Sequence, residues 1–567
     1  MPRHARVRAV RTGLAALAST LLVALAGCAS IPTEGPVNQG LTETAEQRVD
    51  VDILPRGPRE GATQQQILEG FIDAAASPTG SYEIARQFLT PAFSDEWQSD
   101  EAVTIDVLAD RSFTQLGDDL IRMRAVPQAS LAGNGQYLET GSTEPVQLEY
   151  RFELVDEEWR ISAAPPGVLI DETSFGLAYR AYTLTFFDPQ LRFAVPDVRW
   201  FAGRSSAQTS IVRALLAGPA EWLEPAVVSA FPEDLALDPA TVPVSNGVAE
   251  VSLQGAAFDN LRTIQLMQYQ LSESLAGVRN VRDVRLSLNG VPLDPPDLQT
   301  PPERTQRVDS RPVVYDGESF GYLSSTGSAV APIDGVSDAV VALDPTGAAV
   351  GAGGSAVAVG AADGVYLVAD GADAVQLDPR EDLITPALDV DGITWSVPRS
   401  APDQLAWFAD DGTEGQIGVP WRADEIVSLQ FSRDGTRAVA LLADGGRTRV
   451  VAASVRRDEA GRPVELSAVT LELTGSGGTP LDVAWLDANT VGTLTATSAG
   501  ETRLALQQLG TPGSSREGPE AGIELDGANS VRDVRVLTAE GDLATGAGVT
   551  WQVQARDLRF LATQQTD

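Results

Sequence analysis

Gln430-Phe431-Ser432-Arg433-Asp434-Gly435 ends one apolar run and turns the chain into the next, and related pieces recur through the C-terminal half. They are Ala342-Leu343-Asp344-Pro345-Thr346-Gly347, Ala387-Leu388-Asp389-Val390-Asp391-Gly392, Trp485-Leu486-Asp487 and Val536-Leu537-Thr538-Ala539-Glu540-Gly541. Each sets an apolar strand end before Asp, Gly or both, residues that reverse a strand cheaply. The second apolar residues stand at 343, 388, 431, 486 and 537, which are 45, 43, 55 and 51 apart. That period is the length of a four-stranded propeller blade. Val314-Tyr315-Asp316-Gly317 with Phe320-Gly321-Tyr322 supplies a further, diverged unit. Residues 308–567 are expected to form an all-β propeller of five or six blades.

On the N-terminal side of this region, Pro295, Pro296, Pro301 and Pro302 lie in a polar run, and residues 296–307 read as a stiff linker. The chain up to Leu293 is expected to fold without the C-terminal half. Within residues 195–295, Ser210-Ile211-Val212-Arg213-Ala214-Leu215-Leu216-Ala217 is a short amphipathic helix closed by Gly218-Pro219. Ala230-Phe231-Pro232 comes next, then Asn246-Gly247 as a tight turn into the alternating strand Val248 to Leu253. A long helix begins near Asp259, with Leu261, Ile264, Met267 or Gln268, Leu271 and Leu275 recurring every three or four residues, and Gly277 closes it. The strand carrying Val284, Leu286 and Leu288 runs into Asn289-Gly290-Val291-Pro292-Leu293. This ordered set is similar to the GerMN domain, an α/β module of spore germination proteins and extracytoplasmic lipoproteins. The resemblance brings no catalytic residues with it.

Residues 62–190 read as an α+β domain. Ile67, Phe71, Ile72 and Ala75 share a helix face, a second helix is expected over Tyr82 to Leu89, and Thr90-Pro91 is expected to end it. Leu148, Tyr150, Phe152 and Leu154 alternate with polar residues, and Asp156-Glu157 turns into Trp159-Arg160-Ile161 as a hairpin. The pattern resembles the cone-shaped domains related to nuclear transport factor 2. Trp97 and Trp159 are assigned to packing.

Residues 28–61, with four prolines and no hydrophobic period, read as a tether. Residues 1–27 carry Arg3, Arg6, Arg8 and Arg11 ahead of an apolar run from Leu14 to Leu25, the layout of a secretory signal. The run is short of the roughly 20 apolar residues that span a bilayer. Leu25-Ala26-Gly27-Cys28 resembles the lipobox of bacterial lipoproteins, in which the Cys is acylated and becomes the mature N-terminus. Cys28, the only cysteine, is the expected lipidation site, and the protein is expected on the extracytoplasmic face of the cell membrane.

Composition closes most catalytic routes. The net charge is −37, and losing residues 1–27 removes four arginines and no acid, so the mature chain is more acidic still and suits no nucleic-acid partner. The chain contains no lysine, and its one histidine, His4, leaves with the signal. Ser-His-Asp, Cys-His, Ser-Lys and Schiff-base sites are excluded, as is zinc held by His or Cys. Only paired carboxylates and oxygen-ligated metals remain.

Each remaining candidate has a plainer reading. Gly351-Ala352-Gly353-Gly354 lacks the helix and basic residue of a phosphate loop. Asp389-Val390-Asp391-Gly392 and Asp410-Asp411-Gly412 lack the ligand spacing of a calcium loop and read as turns. Glu157-Glu158 and Asp118-Asp119 read as solvated surface rather than a glycosidase pair. Trp395, Trp407, Trp421, Trp485 and Trp551 read as packing between strands rather than a sugar-binding face. No catalytic residue, cofactor or metal is expected.

Lipid anchor, tether, α+β domain, GerMN-like domain and propeller, in this order, resemble the actinobacterial LpqB lipoprotein family. That resemblance implies a non-catalytic partner of the extracytoplasmic part of a two-component sensor kinase governing cell-wall metabolism and division. The propeller rim is the expected docking surface. The alternative is a cell-wall carbohydrate binder or a carboxylate-dependent glycoside hydrolase.

Overall fold

The computed structural model describes residues 55–566 apart from 79, 141–143, 203–205, 257–259, 476, 498, 499 and 549. Cys28, the signal segment and the tether up to residue 54 lie outside the described residues. The first domain opens with α1 (Gln64–Ala75), where Thr63 and Gln66 form a reciprocal capping box. Ile67, Leu68, Phe71 and Ile72 point from it into the core. The second expected helix is only one turn, α2 (Glu83–Arg86): Tyr82 before it takes a left-handed φ of 62°, and beyond Arg86 the bonds tighten, with Gln87, Phe88 and Leu89 N donating to Ile84, Ala85 and Arg86 O. Thr90-Pro91, expected to stop a helix, starts one instead. The Thr90 side chain accepts from Phe93 N, and Pro91 fills the first turn of α3 (Pro91–Glu96), where a missing N–H costs nothing.

Among the described residues, eight strands complete this domain: β1 (Ala102–Asp106), β2 (Ser112–Gln115), β3 (Leu120–Ala125), β4 (Pro127–Ala132), β5 (Tyr137–Glu139), β6 (Val146–Val155), β7 (Glu158–Ala163) and β8 (Val168–Asp171). They form two four-stranded sheets, ordered β5-β4-β1-β8 and β2-β3-β6-β7. Asp156 and Glu157 turn β6 into β7 at positive φ. Tyr150 and Phe152 are buried as their alternation requires, whereas Leu154, near the hairpin tip, is exposed. Trp97 packs edge-on against Phe71 and Tyr82 at 5.1 and 5.6 Å, and Trp159 lies against the same core.

After α4 (Glu172–Ala178), a ribbon of β9 (Tyr179–Phe187) and β10 (Ala194–Ala202) joins the first domain to the second. Tyr179 packs in the first core, while Leu184, Phe186 and Val195 belong to the next. The division expected between residues 190 and 195 thus falls inside one hairpin. The second domain adds α5 (Ala207–Ala217), β11 (Ala236–Leu237), β12 (Val244–Ser245), β13 (Val248–Gln254), α6 (Leu261–Leu275), β14 (Asp283–Leu288) and β15 (Val291–Leu293). β13 and β14 pair in parallel across α6, so this is a βαβ unit with antiparallel neighbours. Asn246-Gly247 and Asn289-Gly290 both hold positive φ, the geometry of the tight turns their sequences announce. Gln270 of α6 is fully buried yet satisfied, donating to Thr185 O at 2.8 Å and accepting from Ala230 N at 2.9 Å.

The proline-rich stretch is not a free spacer. Glu303 exchanges backbone hydrogen bonds with Arg192 and Ala194, Tyr269 Oη donates to Pro302 O, and Arg304 pairs with Glu273 at 2.5 Å. Prolines make the segment stiff; side chains of the second domain then hold it down.

Beyond it, the described residues form six four-stranded blades, the fourth with one extra short strand. Blade 1 is mixed: the C-terminal strand Phe560–Gln564 lies innermost beside Val313–Tyr315, so the two ends of the propeller close the ring. The inner strands of blades 2 to 6 are Gly347–Val350, Ala387–Leu388, Glu425–Phe431, Thr479–Trp485 and Gly522–Asp526. Leu388, Phe431 and Leu486 share the expected position at or beside the end of an inner strand. Leu343 precedes its inner strand, and Leu537 lies in the second strand of blade 6, so the first and last repeats drift in register. The second domain and blades 4 and 5 share one apolar core, which runs from Leu184, Ile211 and Trp222 to Val439, Val450, Trp485 and Leu509.

Candidate functional site

Within a blade, the turn after the inner strand and the turn before the outer strand lie at one end, and the turn between the middle strands at the other. The first end faces the other two domains. Arg192 pairs with Asp391 of blade 3 at 2.7 Å, and Trp200 Nε1 donates to Gly510 O of blade 5 at 2.9 Å. Glu139 accepts from Thr474 Oγ1 and from Gly513 N. Arg433 hydrogen-bonds Gln306 O, Ala528 O and Asn529, tying blade 4 to blade 6 and to the incoming chain.

This end is built from buried charge. Arg437 and Asp434 are ion-paired and essentially without exposure; Arg437 also donates to Asn489 Oδ1 at 2.7 Å and lies over Trp485. Asp434 accepts from Ser432 Oγ and from Thr436 N and Oγ1, and with Arg437 beside it these hold its carboxyl below the usual range despite the cost of burial. Arg457 makes a like pair with Asp389 at 2.6 Å.

Along the inner strands, carboxylates link neighbouring blades. Asp482 accepts from Leu525 N at 2.8 Å and Glu524 from Leu561 N at 2.7 Å. Burial raises both, Asp482 to about 6 and Glu524 to about 8. Sequence reasoning missed them, since a single acid among strand residues gives no periodic signal.

The opposite end is different. The middle-strand turns there carry the exposed acids Glu318, Asp363, Asp403 and Glu540. Among the described residues, no hydrogen bond or ion pair links these turns to residues 55–306.

The sequence candidates resolve into structural roles. Asp389 accepts from Asp391 N, Ile393 N and Trp395 Nε1, and Asp411 from Thr413 N and Arg462, so both acids shape turns. Glu158 accepts from Gly61 N, and Asp119 stands 3.8 Å from Arg151. Gly351 to Gly354 is a tight turn leading into a strand. Trp395, Trp407, Trp421 and Trp485 are buried, with Trp395 stacked on Phe431 at 4.4 Å, and Trp551 is half-buried under Arg516. Among the described residues, no three His, Cys, Asp or Glu side chains are grouped to hold a metal, and no helix is long and apolar enough to cross a membrane.

Three family profiles match this chain in order: Lipoprotein LpqB, N-terminal domain, over residues 57–176; Sporulation and spore germination over 183–294; and Lipoprotein LpqB beta-propeller domain over 321–559. The chain is 27% identical to the lipoprotein LpqB of Thermobifida fusca (strain YX) across 94% of both chains. It is 33% identical to that of Nocardia farcinica (strain IFM 10152) across 50% of this chain and 48% of that one. Among solved structures, a nidogen/laminin complex overlaps 38% of this chain and 83% of its own, at 12% identity and a TM-score of 0.30. An α+β domain, a germination-type α/β module and a propeller, in that order, define a multidomain propeller lipoprotein. The chain belongs to the LpqB family of lipoproteins.

Proposed function

We propose that this lipoprotein is a non-catalytic accessory of a two-component sensor kinase that controls cell-wall metabolism and division. Lipid on Cys28 holds it to the extracytoplasmic face of the membrane. The family likeness supports the role, and the absence of lysine and of any histidine beyond His4 supports a binding protein over an enzyme. The observation that carries the docking surface is the inequality of the two propeller ends. At one end, turns of blades 3, 4 and 5 contact residues 55–306, and the other end displays Glu318, Asp363, Asp403 and Glu540. The partner's matching patch is basic, and association therefore weakens with salt. Pull-down of membrane proteins from detergent extracts at about 50 and 500 mM salt tests this. The kinase is recovered at low salt and depleted at high salt. Its absence at both contradicts the reading.

A further inference from the structure

Arg111 lies at the floor of a groove of 770 Å³ in the first domain, between the leading segment of residues 55–62, helix α1 and the junction of β8 with α4. Its side chain is only 8% exposed, and Asp106 beneath it has no exposure. Asp106 takes Arg111 Nε at 2.9 Å and Nη2 at 2.6 Å, which fixes the guanidinium plane and largely neutralises its charge. Nη1 has no hydrogen-bond partner among the described residues, although Arg111 lines the groove. Asp73 and Asp171 stand within electrostatic reach of Arg111 without bonding to it. Asp171 caps the following helix, its Oδ1 accepting from Ser174 N at 3.0 Å. Asp73 makes no hydrogen bond that would account for its place at the groove edge.

We infer that this groove is a binding site for a neutral, hydroxyl-rich ligand of the carbohydrate class. The volume falls in the range of small-molecule sites, roughly 300–1,000 Å³. The floor offers donors at Arg111 Nη1 between acceptors on Asp73 and Asp171, and a group that both gives and takes hydrogen bonds satisfies all three. Hydroxyls do so, and so do acetamido groups. Three carboxylates around one guanidinium disfavour an anion such as phosphate. The free donors of Arg111, with Arg56 and Arg59 on the leading segment, disfavour an amine. Phe88, Ile170 and Ala74, nearly fully buried, form the apolar backing of the groove. This inference is independent of the kinase partnership, since it concerns a domain away from the open propeller end.

Saturation-transfer NMR and calorimetry on the detergent-solubilised lipoprotein test it. The probes are chitotriose and maltotriose, with inorganic phosphate and putrescine as anionic and cationic counterparts. At least one saccharide binds, and Asp73→Asn and Arg111→Lys each raise its Kd about tenfold or more. Asp73→Asn touches no hydrogen bond of the fold, so it remains informative if the Arg111 variant melts. Binding by phosphate or putrescine alone, no saccharide binding up to about 20 mM, or an unchanged Kd in Asp73→Asn overturns the inference.

Discussion

Glu524 shows how one side chain can set the pH response of a ring. Burial first, and the nearby Asp482 carboxyl as well, raise it to about 8 against an ordinary 4.5, opposed by the Leu561 N–H it accepts. The folded chain thus holds this proton more tightly than the unfolded one. The stability it contributes is fully present below pH 4.5 and is lost as pH climbs towards 8. Asp482, at about 6, acts in the same direction. Glu524→Gln keeps an acceptor for Leu561 N and removes the charge. Its stability is expected to match wild type near pH 4 and to exceed it at pH 8, by on the order of 1–2 kcal/mol, read by thermal unfolding. A variant less stable than wild type at pH 8 contradicts the assignment. Cys28 makes a second prediction at this scale. Cys28→Ser cannot form the thioether, so metabolic labelling with a fatty-acid analogue is lost; equal label in both proteins contradicts lipidation at this residue.

Elements show what the sequence can and cannot announce. The Asn-Gly turns at 246 and 289, the amphipathic face of α6 and the inner-strand ends at 388, 431 and 486 are legible, because each is fixed by neighbours in the chain. Thr90-Pro91 misleads because the same pair that ends one helix can cap the next, and only tertiary placement decides. The strand pairing that closes the propeller is not legible either. It joins Phe560 to Tyr315 and Ala562 to Val313, residues with no local relation. Phe560 and Ala562 are buried, and Ala349 and Val350 of blade 2 pair with the same strand in parallel. Deleting residues 560–567 therefore opens the ring. Such a chain is expected to lose cooperative unfolding of the propeller, read by calorimetry, while single substitutions in exposed turns leave it intact. A sharp, wild-type transition in the deletion contradicts closure by this strand.

At the scale of the whole molecule, the described residues form one compact unit. The proline-rich segment has the sequence of a boundary because prolines and charges suppress any hydrophobic period. The core that crosses it is made by residues far apart in sequence, such as Trp222 and Val450. A chain ending at Leu293 would expose Trp222, Leu223 and Val227 and leave Arg192 without Asp391. It is expected to aggregate or to bind hydrophobic dyes in solution, where the full chain stays monodisperse; a stable monomer would show the shared core to be dispensable. The buried pairs Arg437–Asp434 and Arg457–Asp389 are equally illegible, since acidic turns and isolated arginines read as solvated surface.

With one propeller end committed to the other domains, the partner's place is the remaining end, and position-specific photo-crosslinking in cells measures that most directly. A photoreactive residue at Asp363 or Glu540, in the open turns, is expected to capture the sensor kinase. The same residue at Arg285, on the exposed face of the second domain, is expected not to. Capture from Arg285 with none from Asp363 or Glu540 would contradict docking through the open end of the propeller.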